Sequence, residues 1–174
     1  MIGLIGLPGS GKSTVGRQLA RRLQRPFFDS DRIIEERIGS SIRDYFAHEG
    51  EERFRDVEAT VIDELTQVPN AVLSTGGGAV LRSVNRSNLH SRGYIIYLKS
   101  APDELSRRLK HDTHRPLLQV DDPLKRLRDL FAVRDPLYRE TAHFIIETGR
   151  PSVATLVNMI VMQLELACVV PSQP

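Results

Sequence analysis

Residues 6–14 form a glycine-rich motif with the spacing of a phosphate-binding loop. They read Gly-Leu-Pro-Gly-Ser-Gly-Lys-Ser-Thr and fit the pattern G-x-x-x-x-G-K-[ST]. An apolar run precedes them, and a helical pattern starting at Lys12 follows. A strand that leads through a glycine loop into a helix surrounds a phosphate with backbone N–H groups and the positive end of the helix dipole. The flanking strand and helix argue against the alternative, a chance glycine-rich turn.

The polar residues of this motif have distinct predicted tasks. Lys12 can reach the β- and γ-phosphates of a nucleotide, and the hydroxyl of Ser13 can join the ligand shell of Mg²⁺. The glycines permit backbone angles and a close approach to phosphate that a Cβ atom would prevent. The residues of the loop that are predicted to bind the nucleotide are Gly9, Ser10, Gly11, Lys12, Ser13 and Thr14.

Two carboxylates follow the second predicted strand. Asp29 and Asp31 are two residues apart, at the strand end that faces the same crevice as Lys12. One of them can hold Mg²⁺ through oxygen ligands, and the other can accept a hydrogen bond or a proton from a substrate hydroxyl. In the alternative interpretation, Asp31 only caps the following helix and Asp29 only ends a turn.

The third predicted strand ends in three consecutive glycines. Residues 76–78 remove every side chain from one patch of wall and allow a close approach to the backbone. A flexible turn is the alternative, although three glycines are costly in conformational entropy. Ser74 stands where nucleotide hydrolases commonly carry a Walker-B aspartate, so Asp29 is the nearest candidate for the carboxylate that supports the metal.

Three arginines have positions suited to anionic groups. Arg55 is on the helix after the second strand, Arg134 begins the segment R-D-P-L-Y, and Arg115 lies in a long polar connection over residues 111–122. A guanidinium group binds a carboxylate or phosphate through two parallel hydrogen bonds. A surface salt bridge is the alternative for each arginine.

We interpret the connection over residues 111–122 as a mobile lid over a ligand, with a passive surface loop as the alternative.

Short apolar runs alternate with longer helical patterns along the chain. The runs are typical of strands in a sheet covered on both faces, and the alternation predicts a parallel sheet with right-handed crossovers. Ligands of such sheets collect at the carboxyl ends of the strands. The predicted strands cover residues 2–5, 26–28, 71–74, 94–98 and 144–147. The predicted helices cover residues 13–23, 31–38, 51–65 and 100–110, and two more begin near residues 122 and 152.

Size and composition indicate one globular domain. We assign residues 1–170 to this domain and residues 171–174 to a disordered tail, and we expect a monomer. The net charge of +2 is too small to indicate a nucleic-acid or membrane partner. The single cysteine, Cys168, allows no internal disulfide and no cysteine metal site. Without a signal-peptide pattern, a cytoplasmic enzyme is expected.

Taken together, the motifs closely resemble those of the shikimate kinase family, in order and spacing, from about residue 1 to residue 165. The phosphate loop is shared by many proteins. In contrast, the D-x-D after the second strand, the triple glycine and the R-x-P-L-Y segment are highly specific in combination. The matching segments are residues 6–14, 28–31, 54–55, 74–80, 115–118 and 134–138.

The resemblance implies a reaction and a fold. The reaction is phosphorylation of the 3-hydroxyl of shikimate, with ATP and Mg²⁺ as cofactors, a step of chorismate and aromatic amino-acid biosynthesis. The implied fold class is α/β. It is a P-loop, nucleoside-monophosphate-kinase-like, three-layer αβα arrangement around a five-stranded parallel sheet of order 2-3-1-4-5.

The resemblance also implies roles for single residues. Lys12, Asp31 and Arg115 are the implied catalytic residues, and Arg115 is the lid arginine that reaches ATP and its transferring phosphoryl group. Arg150 falls where the family packs against adenine. The metal ligands carried over are Ser13 and Asp29. The implied shikimate-binding residues are Asp31, Arg55, Gly77, Gly78 and Arg134.

Two alternatives stay open from the sequence. Another small-metabolite kinase of the same fold, such as a gluconate kinase, would also bind a polyhydroxy carboxylate. A nucleotide-dependent switch would transfer phosphate to no small molecule. Such switches usually carry a Walker-B aspartate and, for GTP, an N-K-x-D motif, and the sequence contains neither.

Overall fold

The structure, a computed structural model, describes residues 1–109 and 121–171. Residues 111–120 of the predicted lid and 172–174 of the predicted tail lie outside this part. Within it, the strands are β1 (Ile2–Ile5), β2 (Phe27–Asp29), β3 (Val72–Ser74), β4 (Tyr94–Lys99) and β5 (Phe144–Glu147). The helices are α1 (Lys12–Leu23), α2 (Ser30–Ile38), α3 (Ile42–Thr66), α4 (Ser83–Arg92), α5 (Pro102–Leu109), α6 (Pro123–Thr141) and α7 (Val153–Leu166), with a 3-10 helix at Ala79–Leu81.

The five strands form one parallel sheet in the order β2-β3-β1-β4-β5. The central strand, β1, pairs Leu4 with Ser74 of β3 and with Ile96 of β4. This arrangement confirms the predicted α/β class and strand order. Because the strands are parallel, their carboxyl ends share one edge of the sheet, and the phosphate loop and the segments after β2 and β3 meet there.

The side chains of the strands alternate between two apolar layers, which explains why the strands are apolar at consecutive positions. One layer lies between the sheet and helices α1 and α7, and the other lies between the sheet and helices α3 to α6. The first layer includes Ile2, Leu4, Ile96, Leu98, Leu19, Leu156 and Ile160. The second includes Ile5, Leu73, Ile95, Tyr97, Phe54, Ile62, Leu89 and Leu130. Across the described residues, no helix is long and apolar enough to cross a membrane.

The predicted strands agree with the structure to within one residue at each end, but two helical segments were not predicted. Helix α4 is largely polar, with few apolar positions to form a stripe. Helix α3 begins at Ile42 and is interrupted at Gly50, where φ is 84°. Only the segment after Gly50 was predicted, because it alone carries a long apolar stripe.

Candidate active site

The phosphate loop joins β1 to α1 through two glycines with left-handed backbone angles. Gly9 has a φ of 85° and Gly11 a φ of 91°, a region that residues with a Cβ rarely adopt. Gly11 is also the N-cap of α1. The first N–H groups of the helix therefore face the loop, where a negative charge is stabilised. Ser13 and Thr14 follow in the first turn of α1, and Ser10 is buried inside the loop.

The side chain of Lys12 lies inside this loop. Its Nζ donates hydrogen bonds to the carbonyl oxygens of Gly6 and Leu7, both at 2.9 Å. Only 7% of the residue is exposed. The ammonium group is thus held where the phosphates of a nucleotide would bind, and the low local dielectric strengthens its attraction for them.

Asp29 links the phosphate loop to α2, because each of its carboxylate oxygens has a different partner. Oδ2 accepts a hydrogen bond from the Ser13 hydroxyl at 2.5 Å, and Oδ1 accepts from the backbone N–H of Asp31 at 3.1 Å. The N-cap of α2 is therefore Asp29, and the alternative interpretation of Asp31 as the cap is wrong. Extended backbone at Asp29 turns its side chain onto the helix end, which leaves the Asp31 carboxylate available.

The Asp31 carboxylate lies deep in the cleft beyond the end of β2 and keeps partial contact with solvent. Burial raises its pKa to about 6, and the negative charges of Asp29 and Glu58 act in the same direction, while Lys12 opposes them. A carboxylate with such a pKa is a stronger proton and hydrogen-bond acceptor than an ordinary aspartate. It still carries its charge at neutral pH.

The side chain of Arg55, on α3, is held in place by a buried ion pair. Its Nη1 donates to Oε1 of Glu58 at 2.7 Å, and the residues are 9% and 1% exposed. Its guanidinium group also lies over the ring of Phe54, 5.2 Å from the ring centre. Burial raises the pKa of Glu58, while the adjacent Arg55 lowers it. Glu58 was not among the predicted site residues, although its position in the apolar stripe of this helix is a signal that the sequence contains.

The triple glycine leaves space for three different neighbours. A Cβ at Gly76 would collide with the Asp31 carboxylate, and one at Gly77 would lie 2.7 Å from Cδ of Pro8. A Cβ at Gly78 would lie 2.5 Å from Nη1 of Arg55. The glycines therefore let the carboxylate, the phosphate loop and a guanidinium group converge on one wall, which we call the glycine wall (residues 76–78).

Helix α4 supports the glycine wall from behind. Asn85 donates to the carbonyl oxygen of Ala79 at 2.9 Å, and Arg86 donates to that of Val80 at 2.8 Å. Both carbonyls belong to the 3-10 helix that follows the wall directly. The polar helix that the sequence patterns missed thus holds the backbone of the site in place.

Arg134 approaches the same wall from α6. The described residues include no carboxylate in an ion pair with it, and its charge acts on the neighbouring Glu58 and Tyr138. Tyr138, one helical turn further, is buried and donates a hydrogen bond to the carbonyl oxygen of Gly77 at 2.6 Å. Arg55 and Arg134 therefore lie on two helices that converge on the glycine wall.

The opposite end of the site is formed by the ends of β4 and β5. Arg150, expected near adenine, is exposed just after β5. Arg108 of α5 donates to the carbonyl oxygen of Thr148 at 2.6 Å and so ties α5 to this segment. Arg115 lies outside the described residues.

A fold with this strand order and this loop, with acceptor groups opposite the loop, defines a P-loop kinase of the nucleoside-monophosphate-kinase type. The family model for shikimate kinase matches residues 8–165. A shikimate kinase from Paracidovorax citrulli is 60% identical over 176 aligned positions, which cover 99% of this chain and 96% of the relative. The chain belongs to the shikimate kinase family.

Solved structures give the same assignment. A shikimate kinase from Acinetobacter baumannii in complex with shikimate has a TM-score of 0.89 and 46% identity, over 96% of this chain and 93% of that one. A gluconokinase from Sinorhizobium meliloti has a TM-score of 0.52 and 19% identity, over 93% of this chain and 95% of that one. The second likeness concerns the fold alone.

Proposed function

We propose that this protein transfers the γ-phosphoryl group of ATP to the 3-hydroxyl of shikimate. The observation that carries the proposal is the gathering of the Asp31 carboxylate and two guanidinium groups, Arg55 and Arg134, at the glycine wall. Shikimate offers one carboxylate and three hydroxyls to these groups. The family assignment supports the same reaction, as does the relative from Acinetobacter baumannii that is in complex with shikimate.

The nucleotide half of the proposal rests on the phosphate loop. The backbone N–H groups of residues 9–14 surround the phosphates, and Lys12 neutralises the charge that spreads over the equatorial oxygens during transfer. Arg150 packs against adenine. Arg115 contributes a second positive charge at the transferring group, and we extend the proposal to residues 111–122 as the lid that carries it.

The residues at the loop also fit a Mg²⁺ ion. The Ser13 hydroxyl and the Asp29 carboxylate are in contact, and the Ser74 hydroxyl lies 3.4 Å from that of Ser13. This is a set of oxygen donors, as Mg²⁺ prefers. Within the described residues, no three acidic, histidine or cysteine side chains are grouped so that they could hold a metal ion by themselves. A Mg²⁺ ion at this loop would take most of its ligands from phosphates and water. When bound, the ion supplies charge neutralisation at the phosphates.

The acceptor half positions the hydroxyl that attacks. Arg55 and Arg134 hold the carboxylate of the acid, and the N–H groups of Gly77 and Gly78 contact the molecule from the wall. Asp31 accepts a hydrogen bond from the 3-hydroxyl and aligns it with the phosphorus for in-line transfer. A loose transition state requires little removal of the proton before the phosphoryl group moves.

We further propose that the enzyme acts as a cytoplasmic monomer without nucleic-acid or membrane partners. The near-balanced charge of the chain supports the absence of nucleic-acid and membrane partners.

The reaction is tested by coupling ADP release to shikimate addition, with and without Mg²⁺, and with gluconate as the alternative acceptor. We expect Mg²⁺-dependent ADP release with shikimate and none above background with gluconate. Turnover of gluconate without turnover of shikimate would overturn the choice of substrate. ATP binding without shikimate-stimulated ADP release would instead indicate a nucleotide-dependent switch.

The role of Arg134 is tested by replacing it with lysine. Arg134→Lys keeps the charge but loses the planar fork, so the KM for shikimate should rise about tenfold while the KM for ATP changes less than about twofold. Initial rates at varied shikimate and ATP give both constants. Arg128→Lys is the matched control, because Arg128 lies on the same helix in an exposed pair with Asp103. Equal changes in both constants would make Arg134 a structural residue.

A further inference from the structure

Tyr138 is a buried residue between two groups that the proposed acceptor site uses. It is 0% exposed, and its hydroxyl donates to the carbonyl oxygen of Gly77 at 2.6 Å. Arg134 precedes it by one turn of α6, and its positive charge acts on the same hydroxyl. One phenol group thus bonds to the glycine wall and lies beside a guanidinium group.

The bond to Gly77 has a consequence for the next residue. The peptide unit between Gly77 and Gly78 is planar and trans, so its carbonyl and its N–H point in opposite directions. When Tyr138 holds the carbonyl on the side of α6, the N–H of Gly78 is turned to the opposite side. Among the described residues, the N–H groups of Gly77 and Gly78 donate to no other group, so neither is committed to an acceptor in this part of the protein.

The same oxygen also has hydrogen-bond acceptor capacity on the side of Arg134. A tyrosine hydroxyl has one proton and two lone pairs, and its proton goes to Gly77. The lone pairs of the oxygen are left as acceptors, and the positive charge of Arg134 acts on this oxygen. Burial raises the pKa of Tyr138, although Arg134 and Arg55 oppose the effect, so the phenol keeps its proton and stays a donor at neutral pH.

We propose that Tyr138 is a positioning residue for the acceptor: its hydroxyl fixes the Gly77–Gly78 peptide and orients the guanidinium group of Arg134. The inference rests on the proposed function. Tyr138 bonds to one group proposed to bind the acid and lies beside another, and it bonds to none proposed to bind the phosphates. Its removal therefore weakens the capture of shikimate and leaves the binding of ATP and the chemical step nearly unchanged.

The protein contains a matched control tyrosine. The Tyr97 ring packs against that of Tyr138, with ring centres 4.9 Å apart, and it is equally buried. Its hydroxyl donates to Oδ1 of Asp135 at 2.9 Å and not to the glycine wall. Tyr97→Phe removes a hydroxyl from the same aromatic pair and leaves the hydrogen bond between Tyr138 and Gly77 in place.

The test compares the steady-state kinetics of Tyr138→Phe and Tyr97→Phe with those of the wild-type enzyme. For Tyr138→Phe we expect the KM for shikimate to rise about tenfold, the loss expected for one buried hydrogen-bond donor, with kcat and the KM for ATP within about twofold. For Tyr97→Phe we expect all three constants within about twofold. A wild-type KM for shikimate in Tyr138→Phe, or equal increases in both KM values, would overturn the inference.

A second measurement uses the wild-type enzyme and does not depend on the folding of a variant. With tyrosines labelled at ¹³Cζ, shikimate alone should shift the Tyr138 resonance, whereas ADP alone should not. A resonance unmoved by shikimate, in an enzyme that phosphorylates it, would refute the positioning role alone. A wild-type enzyme that does not phosphorylate shikimate would refute the proposed function and the inference with it.

Discussion

Lys12→Ala is expected to lower kcat by about a thousandfold or more. Lys12 is 7% exposed, and its ammonium group is held inside the loop by two carbonyl oxygens, so its charge acts from a site with little water. Its charge is proposed to act on the phosphoryl group in transit, where stabilisation in a dry site is strongest. The loss should therefore be in kcat rather than in the KM for shikimate. Single-turnover phosphorylation of shikimate measures it directly.

Lys99→Ala is the matched control for this experiment. Lys99 lies at the end of β4, where its Nζ is paired with Glu147 at the surface 2.7 Å away. The control removes the same charge from the same edge of the sheet and should retain kcat within about twofold. Near-normal kcat in Lys12→Ala would contradict its catalytic assignment.

Asp31→Asn is expected to change activity and stability in opposite directions. The neutral amide cannot accept the proton or hold the hydroxyl as a carboxylate does, so kcat should fall by about a hundredfold or more. In the wild-type enzyme, kcat/KM should rise with pH through about 6 as Asp31 ionises. That rise should be missing from the residual activity of the variant, which a pH profile of both proteins will show.

The stability effect follows from the same pKa. Folding raises the pKa of Asp31 from 3.8 to about 6, so the folded state binds more protons than the unfolded state between these values. Stability from this group is thus lost as pH rises through that range, and ionised Asp31 costs about 2–3 kcal/mol above it. Asp31→Asn should unfold at higher urea concentration than wild type at pH 8, with the difference vanishing near pH 4. A variant less stable at pH 8 would show that Asp31 has a structural role.

Much of the fold follows from local patterns in the sequence. The apolar runs of β1 and β5 and the glycine loop before α1 give the strand limits and the phosphate site, because both depend on short-range periodicity and backbone geometry. Helix α4 was not predicted, because it donates hydrogen bonds to carbonyl groups and does not bury a long apolar stripe. Polar helices of this kind carry no strong periodic signal.

The candidate site could be predicted as a set of residues but not as an arrangement. Whether Asp29 or Asp31 caps α2 depends on the backbone angles of one residue, which the sequence pattern does not contain. The reason for three glycines is equally spatial, since the neighbours that fill their missing Cβ positions come from α2, α3 and the phosphate loop. The spacing of Arg55 and Glu58 on one helix allows their ion pair, but the burial of that pair depends on how α3 packs against its neighbours.

The proposed acid-binding and ATP-binding groups lie on different elements of the fold, and this separation has an evolutionary consequence. The groups proposed to bind the acid are carried by α2, α3, α6 and the glycine wall, whereas the proposed ATP-binding end is formed by the loop before α1 and the strands beyond it. Substrate specificity can therefore change, in evolution or by design, through substitutions on three helices. The ATP-binding loop and the strands around it need not change with it. A scaffold divided in this way is a natural starting point for phosphorylating other small hydroxy acids.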